Sequence, residues 1–337
     1  MTSWVLLSAA LSFAVTAAIG RILIPYLRRL HFGQTILDIG PRWHKNKEGT
    51  PTMGGLMFIA GILIAVSVSF AGASLTGALG AGQIAGPLNT QLISGLLMAV
   101  AFGLMGFADD FVKVVKKRNL GLTARQKLLI QFAIAAAYLW SVRLGGTAVT
   151  SVRIPFVAAP WQLGFWYYPL CAIGIVFLVN SVNLTDGIDG LAASVTLMAS
   201  LGFLGIAAVL QFARVSLLAA AVAGGCLGFL VYNFHPARVF MGDTGSMFLG
   251  GCVVAMAFCA NFPLVLALTG LVYIVESLSV VLQVSYFKAT GGRRLFKMSP
   301  IHHHFEMSGW SEVKIVYVFS CVTIAASALA VLAARCI

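Results

Sequence analysis

Residues 53–73 read MGGLMFIAGILIAVSVSFAGA and contain no charged side chain. A helix of about 20 residues crosses the hydrocarbon core of a bilayer, which is roughly 30 Å thick, so this stretch predicts a transmembrane helix. Similar stretches recur on both sides of it. The pattern Thr123-x-x-Gln126 is typical of a capping box at the start of one of them. We predict ten spans, at about residues 3–27, 53–73, 88–108, 126–142, 164–180, 190–210, 215–232, 246–261, 263–287 and 313–334.

The composition supports this interpretation. Of 337 residues, 60% are hydrophobic and 9% are charged, whereas a soluble domain has roughly 45–50% apolar and about 25% charged residues. The sequence therefore predicts an all-α integral membrane protein with one polytopic domain, residues 1–337. The net charge of +12 would suit nucleic acid, but orientation signals and lipid headgroups explain it better. We expect membrane lipids and no nucleic acid as partners. The six cysteines form no CxxC pair, so no redox motif is indicated.

Lysine and arginine are distributed unevenly between the two sides of the predicted membrane domain. Seventeen of the 22 lie in or beside the connections after spans 1, 3, 5, 7 and 9, which we call the basic side. Four lie on the opposite side, and Arg21 lies late in the first span. Because positive residues mark the cytoplasm, we expect a cytoplasmic basic side and two extracytoplasmic termini.

The acids and histidines share this asymmetry. Nine of the ten acids and all six histidines lie on the basic side, and the tenth acid, Glu276, lies inside the ninth span. Acids contribute little to membrane topology, so orientation rules do not explain this distribution. An active site on cytoplasmic loops would explain it. Ordinary solvated loops are the alternative, but the outer loops should then share the acids.

Two adjacent acids, Asp109 and Asp110, end the third span and precede Phe-Val-Lys-Val-Val-Lys-Lys-Arg. If the helix continues beyond the membrane, Asp109 and Lys113 form an i, i+4 pair and Lys117 follows on the same face. A helix end with flanking charges is the simpler interpretation. However, adjacent acids at an apolar boundary are costly unless they are paired or bind a cation.

The segment Asn180-x-x-Asn183-Leu-Thr-Asp186-Gly-Ile-Asp189-Gly190 is expected to form a tight loop after the fifth span. Asp189 could cap the next helix, which leaves Asp186 without a structural task. Carboxylate and amide oxygens in such a loop suit Mg²⁺, which takes one or two carboxylates and shares its other positions with water and phosphate. A plain turn is the alternative.

The connection between spans 7 and 8 contains Asn233, Phe240 and the run Gly-Asp243-Thr244-Gly-Ser246. Asp243 and Thr244 are good N-cap residues. Free backbone N–H groups at this helix N-terminus would form an anion site, and capping alone is the alternative.

Three consecutive histidines, His302, His303 and His304, lie in the last connection on the basic side. Consecutive residues of a regular element cannot all face one ion, so we do not expect zinc; contact with phosphate is the other possibility. Glu276 is interpreted either as a functional residue or as a polar link to a neighbouring helix. Together, acids that could hold Mg²⁺ beside lysines and helix N-termini are the components of phosphoryl transfer.

These motifs closely resemble those of the phospho-N-acetylmuramoyl-pentapeptide transferase (MraY) family, a branch of the polyprenyl-phosphate N-acetylhexosamine-1-phosphate transferases. The resemblance covers residues 50–312, including Pro51-Thr-Met-Gly-Gly55, and the run His-His-His-Phe-Glu points to the muramoyl branch. It implies transfer of phospho-MurNAc-pentapeptide from UDP-MurNAc-pentapeptide to undecaprenyl phosphate with Mg²⁺, giving lipid I and UMP. This would be the first membrane step of peptidoglycan synthesis, in the bacterial cytoplasmic (inner) membrane. The family also suggests a homodimer.

The resemblance further implies roles for individual residues. Asp186 should bind Mg²⁺. Asp109 and Asp110 should be catalytic, with Asp109 either deprotonating the lipid phosphate or attacking directly. The other expected residues are Asp243 and Asn233 at the centre, Asn183, Asp189, Lys117 and a stacking Phe240 at the uridine end, His302 as a catalytic or diphosphate-binding residue, His303 nearer the sugar-peptide, and Lys113, Asn180 and His304 in the wider substrate site.

The chemistry favours one mechanism, and three other functions remain as alternatives. A phosphate monoester has a second pKa of about 6, so the lipid phosphate is mostly dianionic at neutral pH, and we hypothesise its direct attack on the β-phosphate. The nearest alternative is a related transferase that uses UDP-GlcNAc. A transporter would place polar sites near the midplane and often has internal repeats. Here only Glu276 is a mid-span acid, and no repeat is visible. A non-catalytic scaffold would not need the acids.

Overall fold

A computed structural model describes residues 1–29, 47, 49–79, 87–115, 121–146 and 150–336. These residues include ten helices that are long and apolar enough to cross a membrane, which confirms the predicted all-α, multi-pass architecture. The helices in chain order are α1 (Thr2–Arg29), α2 (Gly55–Leu75), α3 (Pro87–Val115), α4 (Ala124–Leu144), α5 (Tyr167–Thr185), α6 (Leu191–Leu210), α7 (Ala213–Asn233), α8 (Gly242–Cys259), the short α9 (Leu266–Thr269), α10 (Leu271–Ala289), the short α11 (Ile301–Glu306) and α12 (Glu312–Ala334).

A small antiparallel hairpin, which the sequence did not predict, joins α4 to α5. Its strands are β1 (Ser151–Val152) and β2 (Trp161–Gln162), and Val152 pairs with Trp161. The hairpin lies at the end of the bundle away from the basic side.

Helix α8 forms the centre of the bundle. Every side chain from Thr244 to Cys259 is buried, and the helix packs against α2, α3, α5, α6 and α7. A helix that is apolar on all faces is expected in such a position. Its closest neighbour is α3, where Gly106 lies against the α8 backbone. A Cβ at Gly106 would be 2.2 Å from the carbonyl oxygen of Asp243, so only glycine permits this approach.

Two helices extend further than the sequence predicted. Helix α3 continues to Val115 instead of ending near residue 108, so Asp109 and Lys113 lie on successive turns of one helix. Helix α5 continues to Thr185. The expected loop therefore begins only at Asp186, and Asn180 and Asn183 are helical. The predicted capping box at Thr123 and Gln126 is confirmed at the start of α4.

The predicted boundary at Pro263 is a longer interruption than expected. Helix α8 ends at Cys259, a 3₁₀ turn covers Pro263–Val265, and the four-residue helix α9 follows before α10 begins at Leu271. The ninth span is therefore shorter than the predicted 263–287. Gly270 separates α9 from α10, and glycine is unfavourable in a helix interior.

Candidate active site

Three aspartates from two distant segments meet at one end of α3 and α8. Ligand atoms of Asp109, Asp110 and Asp243 all lie within 4.8 Å of one another. The Lys113 ammonium contacts Asp109 Oδ2 at 2.7 Å and Asp243 Oδ2 at 3.0 Å. The Lys127 ammonium contacts the same two oxygens at 2.8 and 3.1 Å. We call these five residues the three-aspartate cluster.

Within this cluster, Asp109 is buried and Asp243 is the carboxylate nearest to solvent. The Asp109 side chain is 0% exposed, whereas that of Asp243 is 19% exposed. Asp109 Oδ1 also accepts a 2.7 Å hydrogen bond from the backbone N–H of Leu122. Both oxygens of Asp109 are therefore occupied, and the cluster opens to solvent on its Asp243 side.

Asp110 caps helix α8 from the neighbouring helix. Its Oδ2 accepts hydrogen bonds from the Thr244 backbone N–H at 2.9 Å and from the Thr244 hydroxyl at 2.7 Å. The prediction that Asp243 or Thr244 is the N-cap was wrong, because Met241 occupies that position. The Thr244 N–H, which was expected to be free for an external anion, binds the carboxylate of Asp110 instead.

The end of α5 contacts the same cluster through Asn183. Its amide donates to Asp243 Oδ1 at 2.9 Å and to the Ser246 hydroxyl at 2.8 Å. The other helical asparagine, Asn180, forms a reciprocal amide pair with Gln131 of α4. Asn180 thus joins α4 to α5, one turn before Asn183.

Asp186 directly follows α5 and is half-buried. Its carboxylate makes no hydrogen bond or ion pair with the described part of the chain. Burial and the negative charges of Asp243, Asp110 and Asp189 raise the pKa of Asp186 to about 8. A free carboxylate among three others is a position that a cation would stabilise.

A second group of charges lies beyond Asp186, and we call it the Asp189 cluster. The Lys47 ammonium contacts Asp189 Oδ1 and Glu312 Oε2, both at 2.7 Å. The other oxygen, Asp189 Oδ2, lies 3.0 Å from His235 Nδ1 and accepts from the Ala237 N–H at 3.0 Å. Asp189, His235 and Glu312 also have spacing that could hold a metal ion.

The predicted capping role of Asp189 was wrong. The N-cap of α6 is Gly190, and no side chain caps it. Asn233 supports this turn instead, because its Oδ1 accepts from the Gly190 N–H at 3.1 Å while its amide donates to the Val239 carbonyl at 2.9 Å.

Phe240 is fixed through its backbone by the segment that precedes α2. Its N–H donates to the Pro51 carbonyl, and its carbonyl accepts from the Gly54 N–H, both at 2.8 Å. The Phe240 side chain is half-buried. Lys117, which was also predicted at the uridine end, lies outside the described residues.

The three histidines point to three different partners. His302 Nδ1 lies 3.0 Å from Glu276 Oε2, and His303 Nδ1 lies 2.6 Å from Glu306 Oε2. His304 Nδ1 accepts from the Lys297 N–H at 3.1 Å. Only His302 is fully buried.

Several residues of the site were not identified as such from the sequence. Lys127 and Lys47 were counted only as topology signals, and Glu312, His235 and Gln131 were given no role. Lys127 could have been found, because the capping box at Thr123 fixes the start of α4 and places Lys127 in its first turn on the basic side. Lys47 and Glu312 meet across 265 positions, and no local pattern signals that contact.

Comparison with known proteins agrees with this geometry. Residues 92–261 match the model of glycosyl transferase family 4, which defines the class of the chain. Residues 47–59, which include Lys47 and the Pro51–Gly55 segment, match signature 1 of the phospho-N-acetylmuramoyl-pentapeptide transferases.

Full-length relatives define the family more narrowly. A phospho-N-acetylmuramoyl-pentapeptide-transferase of Heliobacterium modesticaldum is 46% identical over 96% of this chain and 97% of its own length. A protein of the same name from Halalkalibacterium halodurans is 46% identical over 93% of this chain and 92% of its own length. Another, from Clostridioides difficile, is 42% identical over 97% of this chain and 96% of its own length. The chain belongs to the phospho-N-acetylmuramoyl-pentapeptide transferase family.

Proposed function

We propose that this protein transfers phospho-MurNAc-pentapeptide from UDP-MurNAc-pentapeptide to undecaprenyl phosphate, giving lipid I and UMP. The observation that carries the proposal is the position of Asp186 between the three-aspartate cluster and the Asp189 cluster. Phosphoryl transfer depends mainly on positioning and on charges that stabilise the transferring group. The lysines and carboxylates of the three-aspartate cluster, together with the free carboxylate of Asp186, provide those charges.

We propose Mg²⁺ as the cofactor, because the residues around Asp186 fit this ion. The neighbouring carboxylates offer oxygen atoms, the ligands that Mg²⁺ prefers, and burial together with their repulsion raises the Asp186 pKa. Asp186 would hold the ion, with Asp110 and Asp243 beside it. When bound, Mg²⁺ would neutralise the diphosphate and stabilise the UMP leaving group.

The contacts of Asp109 support direct attack by the lipid phosphate over attack by the aspartate. Asp109 is held by two ammonium groups and a backbone N–H, so both of its carboxylate oxygens already have partners and neither is free to attack the diphosphate. The lipid phosphate is already mostly dianionic at neutral pH, since its second pKa is about 6. Asp109 would then orient Lys113 and Lys127 toward the phosphates. Isolation of a phospho-aspartyl form of the enzyme would overturn this one-step version.

The remaining residues are proposed to bind the ends of the UDP-sugar. Asp189, Lys47 and Phe240 would hold the uridine, with Phe240 stacking on the base. His302 would lie at the diphosphate, His303 nearer the sugar-peptide, and Asn183 would fix Asp243. Lys117, Asn180, Asn233 and His304 are retained as members of the wider substrate site.

The test uses purified protein in lipid vesicles with undecaprenyl phosphate and Mg²⁺. UDP-MurNAc-pentapeptide and UDP-GlcNAc are supplied in parallel, and both UMP release and lipid product are followed. We expect turnover of the muramoyl substrate alone, abolished by EDTA. Turnover of UDP-GlcNAc alone would overturn the proposed substrate, and no turnover of either by folded protein would overturn the enzyme assignment. Transport into vesicles without UMP release would indicate a transporter.

We propose that the protein lies in the bacterial cytoplasmic membrane as a homodimer, with its site facing the cytoplasm and both termini outside. The exposed thiol of Cys336, near the C-terminus, allows a test of orientation. A membrane-impermeant maleimide should label Cys336 in intact spheroplasts, and labelling only after lysis would reverse the orientation. The mass of the detergent-solubilised protein, measured by light scattering, tests the dimer.

A further inference from the structure

A fully buried acid–histidine pair connects helix α10 to the short helix α11. The side chains of Glu276 and His302 are both 0% exposed, and Glu276 Oε2 lies 3.0 Å from His302 Nδ1. Burying a carboxylate is costly unless a hydrogen-bonded partner compensates for lost water. Among the described residues, His302 is the partner that the Glu276 side chain contacts.

This contact determines which ring nitrogen of His302 is left free. A carboxylate accepts hydrogen bonds, so the hydrogen of the pair lies on Nδ1 and Nε2 faces the opposite direction. Nε2 is buried and has no hydrogen-bond partner in the described part of the chain. It is directed at Gly187, where an added Cβ would lie only 2.2 Å from Nε2. The free nitrogen therefore faces the turn that carries Asp186.

A hydrogen bond also joins α10 to the helix that precedes that turn. The Ser277 hydroxyl, one residue after Glu276, donates to the Ser181 hydroxyl of α5 at 2.7 Å. Asp186 follows the end of the same helix α5. This hydrogen bond therefore links the part of α10 that carries Glu276 to the helix that ends at the Asp186 turn.

We propose that Glu276 is a positioning residue for His302. It keeps the hydrogen on Nδ1 and directs Nε2 toward the Asp186–Gly187 turn, where the substrate diphosphate would lie. The inference rests on the proposed function, because it gives His302 a role at the diphosphate. Removal of a group that orients a metal-bound histidine typically costs about 10–100-fold in activity, and we expect an effect of this size for the partner of His302.

Three variants test this role in the vesicle assay, together with the wild type. Glu276→Ala removes the acceptor and should lower kcat by about 10–100-fold. The KM for UDP-MurNAc-pentapeptide should change by less than about threefold, because the substrate itself loses no contact. Glu276→Gln keeps an acceptor oxygen for Nδ1–H and should restore most of that loss. Glu276→Ala combined with His302→Ala should have the kcat of His302→Ala alone, because Glu276 acts through His302.

A matched control separates positioning from simple helix packing. The Tyr273 hydroxyl lies on the same helix and makes an equally buried 2.7 Å contact with Thr196, away from His302. Tyr273→Phe should lower thermal stability and leave kcat per folded molecule unchanged. If Glu276→Ala behaves like Tyr273→Phe, or if Glu276→Gln is as inactive as Glu276→Ala, the positioning role is overturned.

A spectroscopic measurement is independent of turnover. In ¹⁵N-histidine-labelled protein, the His302 signals can be identified by their loss in His302→Ala. They should show a protonated Nδ1 in the wild type and a mixture of the two tautomers in Glu276→Ala. An unchanged tautomer would overturn the inference. Absence of wild-type turnover would instead overturn the proposed function, so the two failures are distinguishable.

Discussion

The three-aspartate cluster and the Asp189 cluster contain similar residues but differ in the state of their charges. In the Asp189 cluster each oxygen of Asp189 has a partner, through Lys47, His235 and the Ala237 N–H. In the three-aspartate cluster, three carboxylates share two lysines that are 32% and 25% exposed. The two carboxylates of the Asp189 cluster, Asp189 and Glu312, are matched by Lys47 and His235, whereas the three-aspartate cluster has one carboxylate more than it has lysines.

This difference suggests a division of work between binding and chemistry. Charges that are not yet balanced can stabilise a group whose charge changes during reaction. In a cluster whose charged groups are already paired, a ligand can only replace one of the existing partners. Such a cluster suits binding of a part of the substrate that does not react. Asp186 interacts with both clusters, because the charges of Asp243, Asp110 and Asp189 add to the effect of burial in raising its pKa.

The largest effect is expected for Asp186→Asn. The amide keeps the shape of the side chain but cannot bind a divalent cation as a carboxylate does, so kcat should fall by about 10²–10³-fold or more. Added Mg²⁺ should not restore it. UMP release over a range of Mg²⁺ concentrations measures this, with gel-filtration elution and thermal stability as controls for folding. Near-normal turnover would remove Asp186 from the metal site.

Asp189→Asn should have a smaller effect, on KM. Weakening one charged contact at the uridine end should raise KM for UDP-MurNAc-pentapeptide about 10-fold, equivalent to about 1.4 kcal/mol, with little change in kcat. The matched variant Asp243→Asn in the three-aspartate cluster should show the reverse, a loss of kcat at nearly constant KM. If both variants lower kcat equally, the proposed division of work is wrong.

Mg²⁺ binding should depend on pH through Asp186. Its metal-free pKa of about 8 means that the carboxyl is protonated below pH 8 and must lose that proton to bind Mg²⁺. The apparent affinity should therefore weaken by about tenfold per pH unit as the pH falls below 8, and should level off above it. Isothermal titration calorimetry at pH 6.5, 7.5 and 8.5, in buffers of different ionisation enthalpy, measures both affinity and proton release. A constant affinity over this range would show that Asp186 is already ionised.

The smallest effect is expected outside both clusters, for Thr123→Ala. Loss of the capping box at the start of α4 should cost about 1 kcal/mol of stability. Thermal unfolding should detect this. Turnover should stay within about twofold, because the ion pairs of Lys127 hold the first turn of α4. A large loss of kcat would mean that the cap itself positions Lys127 for reaction.

The sequence predicted the parts of this structure that depend on local spacing. Ten apolar stretches predicted ten helices, and the four-residue spacing of Asp109 and Lys113 predicted their ion pair, which is 2.7 Å long. Such contacts follow from helix geometry alone.

The contacts that the sequence did not predict are long-range. Lys127 meets Asp109 across 18 positions, and Lys47 meets Asp189 across 142. The N-cap of α8 was predicted wrongly for the same reason. Asp243 and Thr244 have the right composition for an N-cap, but the acceptor for the Thr244 N–H is Asp110, 134 positions earlier. Only the packing of α3 against α8 determines that partner.

The attachment of Asp110 to the first turn of α8 also has a consequence for inhibition. The residues that build the reaction centre there also join the central helix α8 to its closest neighbour, α3. At the same contact, Gly106 leaves no room for a larger side chain. Changes in this region would disturb the assembly of the bundle as well as turnover. A compound that depends on contacts with Asp110 and the first turn of α8 would therefore leave the bacterium few resistance mutations that a working enzyme could tolerate.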